Sequence, residues 1–407
     1  MSSPEPEADG PITGEPCNVM VSAGEASGDM HAAQALAALA DRGTKVRSFG
    51  MGAGALERGG TELIVDCRDL AVIGIVDVLA NYGKFRARLS RLRRTMRNRR
   101  PDLLIIVDYP DFNLKLAETA KTLGIPVLFY ISPQVWAWRA GRVARIGSLV
   151  THMAVLFPFE VAVYERAGVP VTHVGHPLVD DARSGFTPTE ARRHFGLRAS
   201  GPLVTLLPGS RRGEIRRHLP VMLDSARRLR AAIPDCRFLL PLAPTLDRAT
   251  LDEAPATTGT SLASVLADVS LPLEIVTGDA CHAMRAADVV LAASGTATLE
   301  TALIGTPMVV LYIVSPTNHA IMSRLIRIPD IALVNVVAGR RIVPEYVQKE
   351  ATPSALADEL RSLLTDQSRA DTMRAALAEV SARMGDGGAS GRVAALIDDM
   401  LAQTRRT

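Results

Sequence analysis

In LLPGSRRGEI, Leu206 to Ile215, an apolar run ends in Pro208-Gly209-Ser210, and two arginines and a helix carrying Glu214 follow. Gly209 lets backbone approach a ligand closely. A helix start presents unpaired N–H groups and the positive end of its dipole, both of which attract anions. Arg211 or Arg212 can fork two hydrogen bonds onto a phosphate. The segment reads as a diphosphate cradle. A second cradle lies in AASGTATLE, Ala292 to Glu300, where Ser294, Gly295 and Thr296 begin another helix. Glu300, one turn further on, can accept both hydroxyls of a ribose. Two anion cradles in one half of the chain point to a nucleotide diphosphate.

The first half is richer in acids. In SAGEASGD, Gly24 and Gly28 flank Glu25 and Ser27, and Asp29 reads as a helix cap. A dinucleotide turn would need G-x-G-x-x-G and no carboxylate facing a pyrophosphate. Glu25 suits sugar hydroxyls or proton handling instead. The run LLIIVDYPDFN, Leu103 to Asn113, ends in Asp108 and Asp111. Burial at a strand end makes a carboxylate more basic, which suits a general base for a hydroxyl. Asp108 takes that role and Asp111 the cap of the next helix. Trp136 and Trp138 follow in YISPQVWAWR and can hold a sugar face or an acyl chain, or pack between domains. LFPFE and VGHP repeat the pattern of a strand followed by a loop; His176 binds a ligand or braces the hinge.

These loops need strands and helices to hold them. Short β-rich runs alternate with helical patterns along the chain, which predicts parallel sheets. Strands are expected at 18–22, 45–50, 103–108, 127–130, 153–156 and 171–174, then at 203–207, 237–240, 273–276, 289–292 and 308–311. Helices are expected at 30–40, 77–98, 112–123, 214–231, 282–286, 297–304 and 353–364. At 407 residues two domains are the default. We expect an acidic, Pro-rich disordered tail over 1–16, a first Rossmann-like domain over 17–182 and a second over 183–365. Helices over 366–407 should pack back on the first domain or on a second copy of the chain, making a homodimer. Strand-end loops of such sheets hold the chemistry.

A net charge of +3 excludes a molecule that binds polyanions over its whole surface. Four scattered cysteines without a C-x-x-C pair suit a reducing cytosol. No signal peptide or membrane span is legible. Nine basic residues lie between Lys84 and Arg100, interleaved with Phe85, Leu89, Leu92 and Met96 and preceded by an apolar run from Val72 to Leu79. A basic amphipathic helix beside exposed apolar residues reads as a membrane-surface element. Val72, Ile73, Ile75, Val76, Arg91, Arg93 and Arg94 are its expected contacts. No RNA-binding motif accompanies it, so no nucleic-acid partner is expected.

Together the motifs resemble the lipid-A-disaccharide synthases, a bacterial glycosyltransferase family. SAGEASGD, LAVIGIVDVL, VDYPDFN, ISPQVWAWR, FPFE, GHPLVD, LPGSRRGEI, ASGTATLE and VVAGRRIVPEYVQ occur in the family's order, from about residue 19 to 350. The resemblance implies an α/β protein of GT-B fold, with two Rossmann-like doubly wound parallel-sheet domains facing a central cleft. It implies inverting transfer of 2,3-diacylglucosamine from UDP-2,3-diacylglucosamine to the 6-hydroxyl of 2,3-diacylglucosamine 1-phosphate. The products would be lipid A disaccharide 1-phosphate and UDP, formed on the cytoplasmic face of the inner membrane. By position Asp108 is then the candidate base, Glu25 the first-loop acid, Arg211 the diphosphate holder and Glu300 the ribose acid. Gly209, Ser210, Glu214, Ser294, Gly295 and Thr296 complete the expected UDP site. Ser27, Asn113, Trp136, His176, Asn335 and Gln348 are expected to contact donor or acceptor. Val334 stands where the family commonly has proline, and MGAG at 51–54 is looser than the family pattern. With no D-x-D at a strand end, neither a catalytic metal nor a cofactor is expected. The alternative is a UDP-sugar epimerase, or a GT-B transferase acting on a non-acylated UDP-sugar.

Overall fold

A computed structural model describes residues 15–70, 82–133, 141–182, 186–243, 271–315 and 330–406. Within it the chain forms two compact units. One comprises the described parts of Met1–Pro177 and Gly387–Thr407, the other Leu178–Asp386. The helix Gln367–Arg383 therefore belongs to the second unit and Ala389–Arg406 to the first. The expected divisions after 182 and 365 fall inside the second unit.

The first unit is a seven-stranded parallel sheet: β1 (Cys17–Ala23), β2 (Val46–Gly52), β3 (Glu62–Asp66), β4 (Leu103–Val107), β5 (Val127–Tyr130), β6 (His152–Val155) and β7 (Val171–His173). The second is a six-stranded parallel sheet: β8 (Leu203–Leu207), β9 (Arg237–Leu242), β10 (Leu273–Thr277), β11 (Val289–Ala293), β12 (Met308–Tyr312) and β13 (Glu345–Val347). Central strands such as LLIIV and VVLAA are buried throughout, as parallel strands covered on both faces must be. The strand orders are 3-2-1-4-5-6-7 and 10-9-8-11-12-13. Each reverses direction once, between β1 and β4 and between β8 and β11. In each sheet taken by itself, the carboxyl end of that pair is where a doubly wound sheet binds its ligand.

The helix Tyr82–Arg99 corrects one expectation. Leu89, Leu92 and Met96 are buried in the core of the first unit, and Phe85 meets Phe112 edge to face at 5.0 Å. The apolar residues interleaved with the basic ones are thus spent on folding, each such side chain contributing about 1.5–3 kcal/mol. Arg93 donates to the Lys115 carbonyl at 2.5 Å, and Arg99 forks onto Glu62. Arg91 and Arg94 remain on the exposed face. Val72, Ile73, Ile75 and Val76 lie outside the described residues, as do Trp136 and Trp138. Among the described residues no helix is long and apolar enough to cross a membrane.

The last helix closes the first unit. Asp398 accepts hydrogen bonds from Arg42 and Thr44. Arg392 donates to the Val174 carbonyl at 2.8 Å and to Gly387 at 2.5 Å. One guanidinium thus grips the chain just before it leaves the unit and just after it returns. Gly175 has φ +75°, and a Cβ there would lie 2.5 Å from the Arg392 guanidinium.

Candidate active site

At the β1/β4 switch point the backbone is strained. Asp108 and Tyr109 have φ of 49° and 47°, a left-handed pair that costs about 1–3 kcal/mol per residue. Asn113, fully buried, holds it in place. Its amide nitrogen donates to the carbonyls of Asp108 (2.7 Å), Val107 (3.2 Å) and Ser22 (3.2 Å), while its oxygen accepts from the Ser22 hydroxyl at 2.6 Å. Asn113 was expected to contact a ligand. Burial and these bonds make it a brace that joins the ends of β1 and β4 and aims Asp108.

Tyr109 lies against Gly24, where a Cβ would come within 2.4 Å of the ring. No other residue fits there without displacing Tyr109. Burial, and after it the neighbouring charge of Glu25, push the phenol's pKa up. Glu25 is therefore close to the Asp108–Tyr109 turn. Ser27 is exposed beside it. Asp111 is not the helix cap expected: Tyr109 occupies the N-cap of Pro110–Thr122, and Asp111 sits in its first turn, where the dipole favours it. Asp29 likewise leaves its own helix uncapped. Buried, it accepts the N–H groups of Ala53 (2.6 Å), Ala55 (2.8 Å) and Leu56 (3.3 Å), tying the loop after β1 to the one after β2. His176 is buried against Phe157, and desolvation drops its pKa to about 3, so it is a neutral brace at the unit's exit.

The β8/β11 switch point relieves strain with glycine. Gly209 has φ +112°, and a Cβ on it would lie 2.4 Å from the Glu214 carboxylate. Glu214 reaches back over its own helix start. It accepts from Ser210 N–H (3.1 Å) and Arg211 N–H (3.3 Å) and pairs with the Arg211 guanidinium at 3.2 Å. Glu214 was expected to help hold a diphosphate. It is instead the cap of the helix Arg212–Ala232, the reciprocal half of a capping box. Across the switch, Ser294 donates to the Ile331 carbonyl at 3.1 Å. Gly295 is the N-cap of the helix Thr296–Ile304 and supplies no side-chain cap, so that helix start keeps its pull on an anion. Thr296 is exposed and Glu300 half-buried.

Two residues not singled out in the sequence organise this end. His218, one turn after Glu214, places Nδ1 2.8 Å from the Pro208 carbonyl, and its Nε2 accepts the Ile313 N–H at 3.0 Å. A backbone N–H can only donate, so Nδ1 carries the proton; desolvation lowers the pKa and keeps the ring neutral. Glu345, at the start of β13, accepts from Ile331 N–H and Ala332 N–H and from Asn335 at 2.7 Å. Asn335 was expected at the ligand. It is buried, accepting from Ile342 and Val343 and donating to Val343 and Glu345. Gln348, at φ +52°, lays its amide along the Val314 backbone. Both act as braces for the segments after β12 and before β13.

A family model for lipid-A-disaccharide synthetase matches residues 19–388. Lipid-A-disaccharide synthase of Geobacter sulfurreducens is 45% identical over 383 residues, covering 94% of this chain and 97% of its own. The same enzyme of Nitrosococcus oceani is 43% identical over 369 residues, covering 91% and 92%. Among solved structures, UDP-GlcNAc 2-epimerase from Neisseria meningitidis bound to UDP-GlcNAc superposes with a TM-score of 0.60 at 13% identity, covering 95% of this chain and 100% of its own. MurG from Acinetobacter baumannii does so with a TM-score of 0.54 at 16%, covering 94% and 100%. At those identities the structures speak for the GT-B fold alone, and the epimerase alternative is not favoured. The chain belongs to the lipid-A-disaccharide synthase family, glycosyltransferases that make the lipid A disaccharide.

Proposed function

We propose that the β8/β11 switch point grips the UDP of UDP-2,3-diacylglucosamine while Asp108 takes the proton from the 6-hydroxyl of 2,3-diacylglucosamine 1-phosphate. Attack of that oxygen on the anomeric carbon expels UDP in one in-line step and inverts the anomer. Supporting this is the pairing of opposite chemistries at equivalent places: an aimed acid after β4, and a cationic loop after β8 beside an uncapped helix start after β11. Glu214 occupies the Ser210 and Arg211 N–H groups, so the diphosphate meets the arginine side chains and the helix at Thr296. A guanidinium and helix dipoles then stabilise the leaving charge, and Glu300 takes the ribose. Glu25, beside the Asp108 turn, orients the acceptor sugar. The outward basic face carrying Arg91 and Arg94 rests on an anionic membrane surface, from which the acylated substrates are drawn.

Incubating the purified protein with both lipid substrates should yield UDP and disaccharide together. UDP release without acceptor would mark a hydrolase, and turnover of non-acylated UDP-N-acetylglucosamine would revive the epimerase.

A further inference from the structure

A second cluster in the second unit has no part in that chemistry. His194 ends the helix Pro188–His194, Asp279 precedes the helix Ala280–Ala286, and His282 lies within it. One ligand atom from each lies within 4.8 Å of the other two. His194 Nε2 is 2.6 Å from Asp279 Oδ2, and His282 Nδ1 contacts the other carboxylate oxygen. Aspartate at an N-cap ordinarily accepts N–H groups of its own helix. Asp279 makes no such bond and holds a left-handed φ of 57°, with its carboxylate turned to the two imidazoles. Phe186 walls one side, its ring 4.3 Å from that of His282 and 5.6 Å from that of His194.

We propose that His194, Asp279 and His282 form a binding site for a late divalent transition metal, zinc in the first instance. Two imidazoles and one carboxylate are a donor set for zinc, nickel or copper, whereas magnesium and calcium call for oxygen. Three protein ligands leave the fourth position to water. Binding exchanges the two N–H···O hydrogen bonds for metal–nitrogen bonds, and each imidazole proton moves to its outer ring nitrogen. The ion clamps the helix Pro188–His194 to the loop after β10. Arg192 ties the same helix to the segment between the helix Ala280–Ala286 and β11, bonding the Ala286 carbonyl and the Asp288 carboxylate, each at 2.8 Å. The site is a structural staple, and it does not depend on the transferase reading.

The test titrates untagged, chelator-treated full-length protein with Zn²⁺ by calorimetry and with Co²⁺ by visible spectroscopy. One equivalent of Zn²⁺ should bind and raise Tm by several degrees at saturation. His194→Ala and His282→Ala should each weaken binding by at least about 10-fold and abolish the Tm shift. Co²⁺ in the wild type should give ligand-field bands of a nitrogen and oxygen site, a readout that stands even where a variant fails to fold. Absence of saturable uptake, unchanged affinity in both variants, or a thiolate charge-transfer band from the nearby Cys281 would overturn the assignment.

Discussion

The two switch points have the same topology and opposite construction. After β4 the chain is forced into two consecutive left-handed non-glycine residues, Asp108 and Tyr109, and a buried amide holds it there. After β8 the turn is relaxed by Gly209, and the neighbouring helix start is capped by Glu214. Strain that persists only because its surroundings enforce it marks a position whose side chain must point one way. An anion grip needs less: backbone that comes close, a guanidinium and a helix dipole. The fold supplies two equivalent places, and on the proposed function the different residues at the strand ends suit one to a proton and the other to a charge.

The sharpest way to break this comparison is Asp108→Asn, which keeps the turn and removes the base. We predict a loss of kcat of about 10²–10⁴-fold, and a normal rate would remove Asp108 from the role. Arg211→Ala should raise the barrier in kcat/KM by about 3 kcal/mol, the worth of one fixed donor. An unchanged value would move the grip to Arg212. Gly24→Ala probes the strained side without touching an ionisable group. Its Cβ would overlap Tyr109 at 2.4 Å, so we expect about 1–3 kcal/mol of lost stability and reduced kcat, read from urea melts and steady-state rates. A Gly24→Ala enzyme with wild-type kcat would show that displacing Tyr109 leaves Asp108 in place.

Acid should weaken both regions through their neutral braces. The folded pKa values of His176 and His218 both lie below the free value of 6.5. The unfolded chain therefore binds more protons below pH 6.5, and stability falls as pH drops, down to about 3 for His176. Each histidine contributes a slope of up to about 1.4 kcal/mol per pH unit within its window. A urea midpoint that holds steady from pH 7 to 5 would contradict these burials. The smallest effect belongs to the basic face. Replacing Arg91 and Arg94 by Ser should lower sedimentation with anionic vesicles by about 1 kcal/mol per residue. Undiminished sedimentation would assign attachment to another part of the chain.

Much of the fold was legible because parallel strands are continuous apolar runs: 127–130 and 203–207 match residue for residue. β3 was missed because its five residues follow Gly59-Gly60 closely, and β13 because three residues carry no period. The strand-end motifs could be read, since glycines, acids and arginines follow apolar runs there. The braces could not, because their partners are remote in sequence: Asn113 meets Ser22, Asp29 meets Ala53 and Arg392 meets Val174. A polar residue in a motif looks the same whether it touches ligand or backbone until burial separates the two. In the helix Tyr82–Arg99 the amphipathic pattern was legible, but not that its apolar residues join the core of the first unit while Arg93 bonds the Lys115 carbonyl.

The division of labour itself is tested most directly by the dissociation constant of UDP, measured by calorimetry on wild type, Asp108→Asn and Arg211→Ala. Asp108→Asn should bind UDP within about twofold of wild type although its kcat has collapsed, and Arg211→Ala should bind at least about tenfold more weakly. Loss of UDP binding in Asp108→Asn, with Arg211→Ala unaffected, would contradict that division.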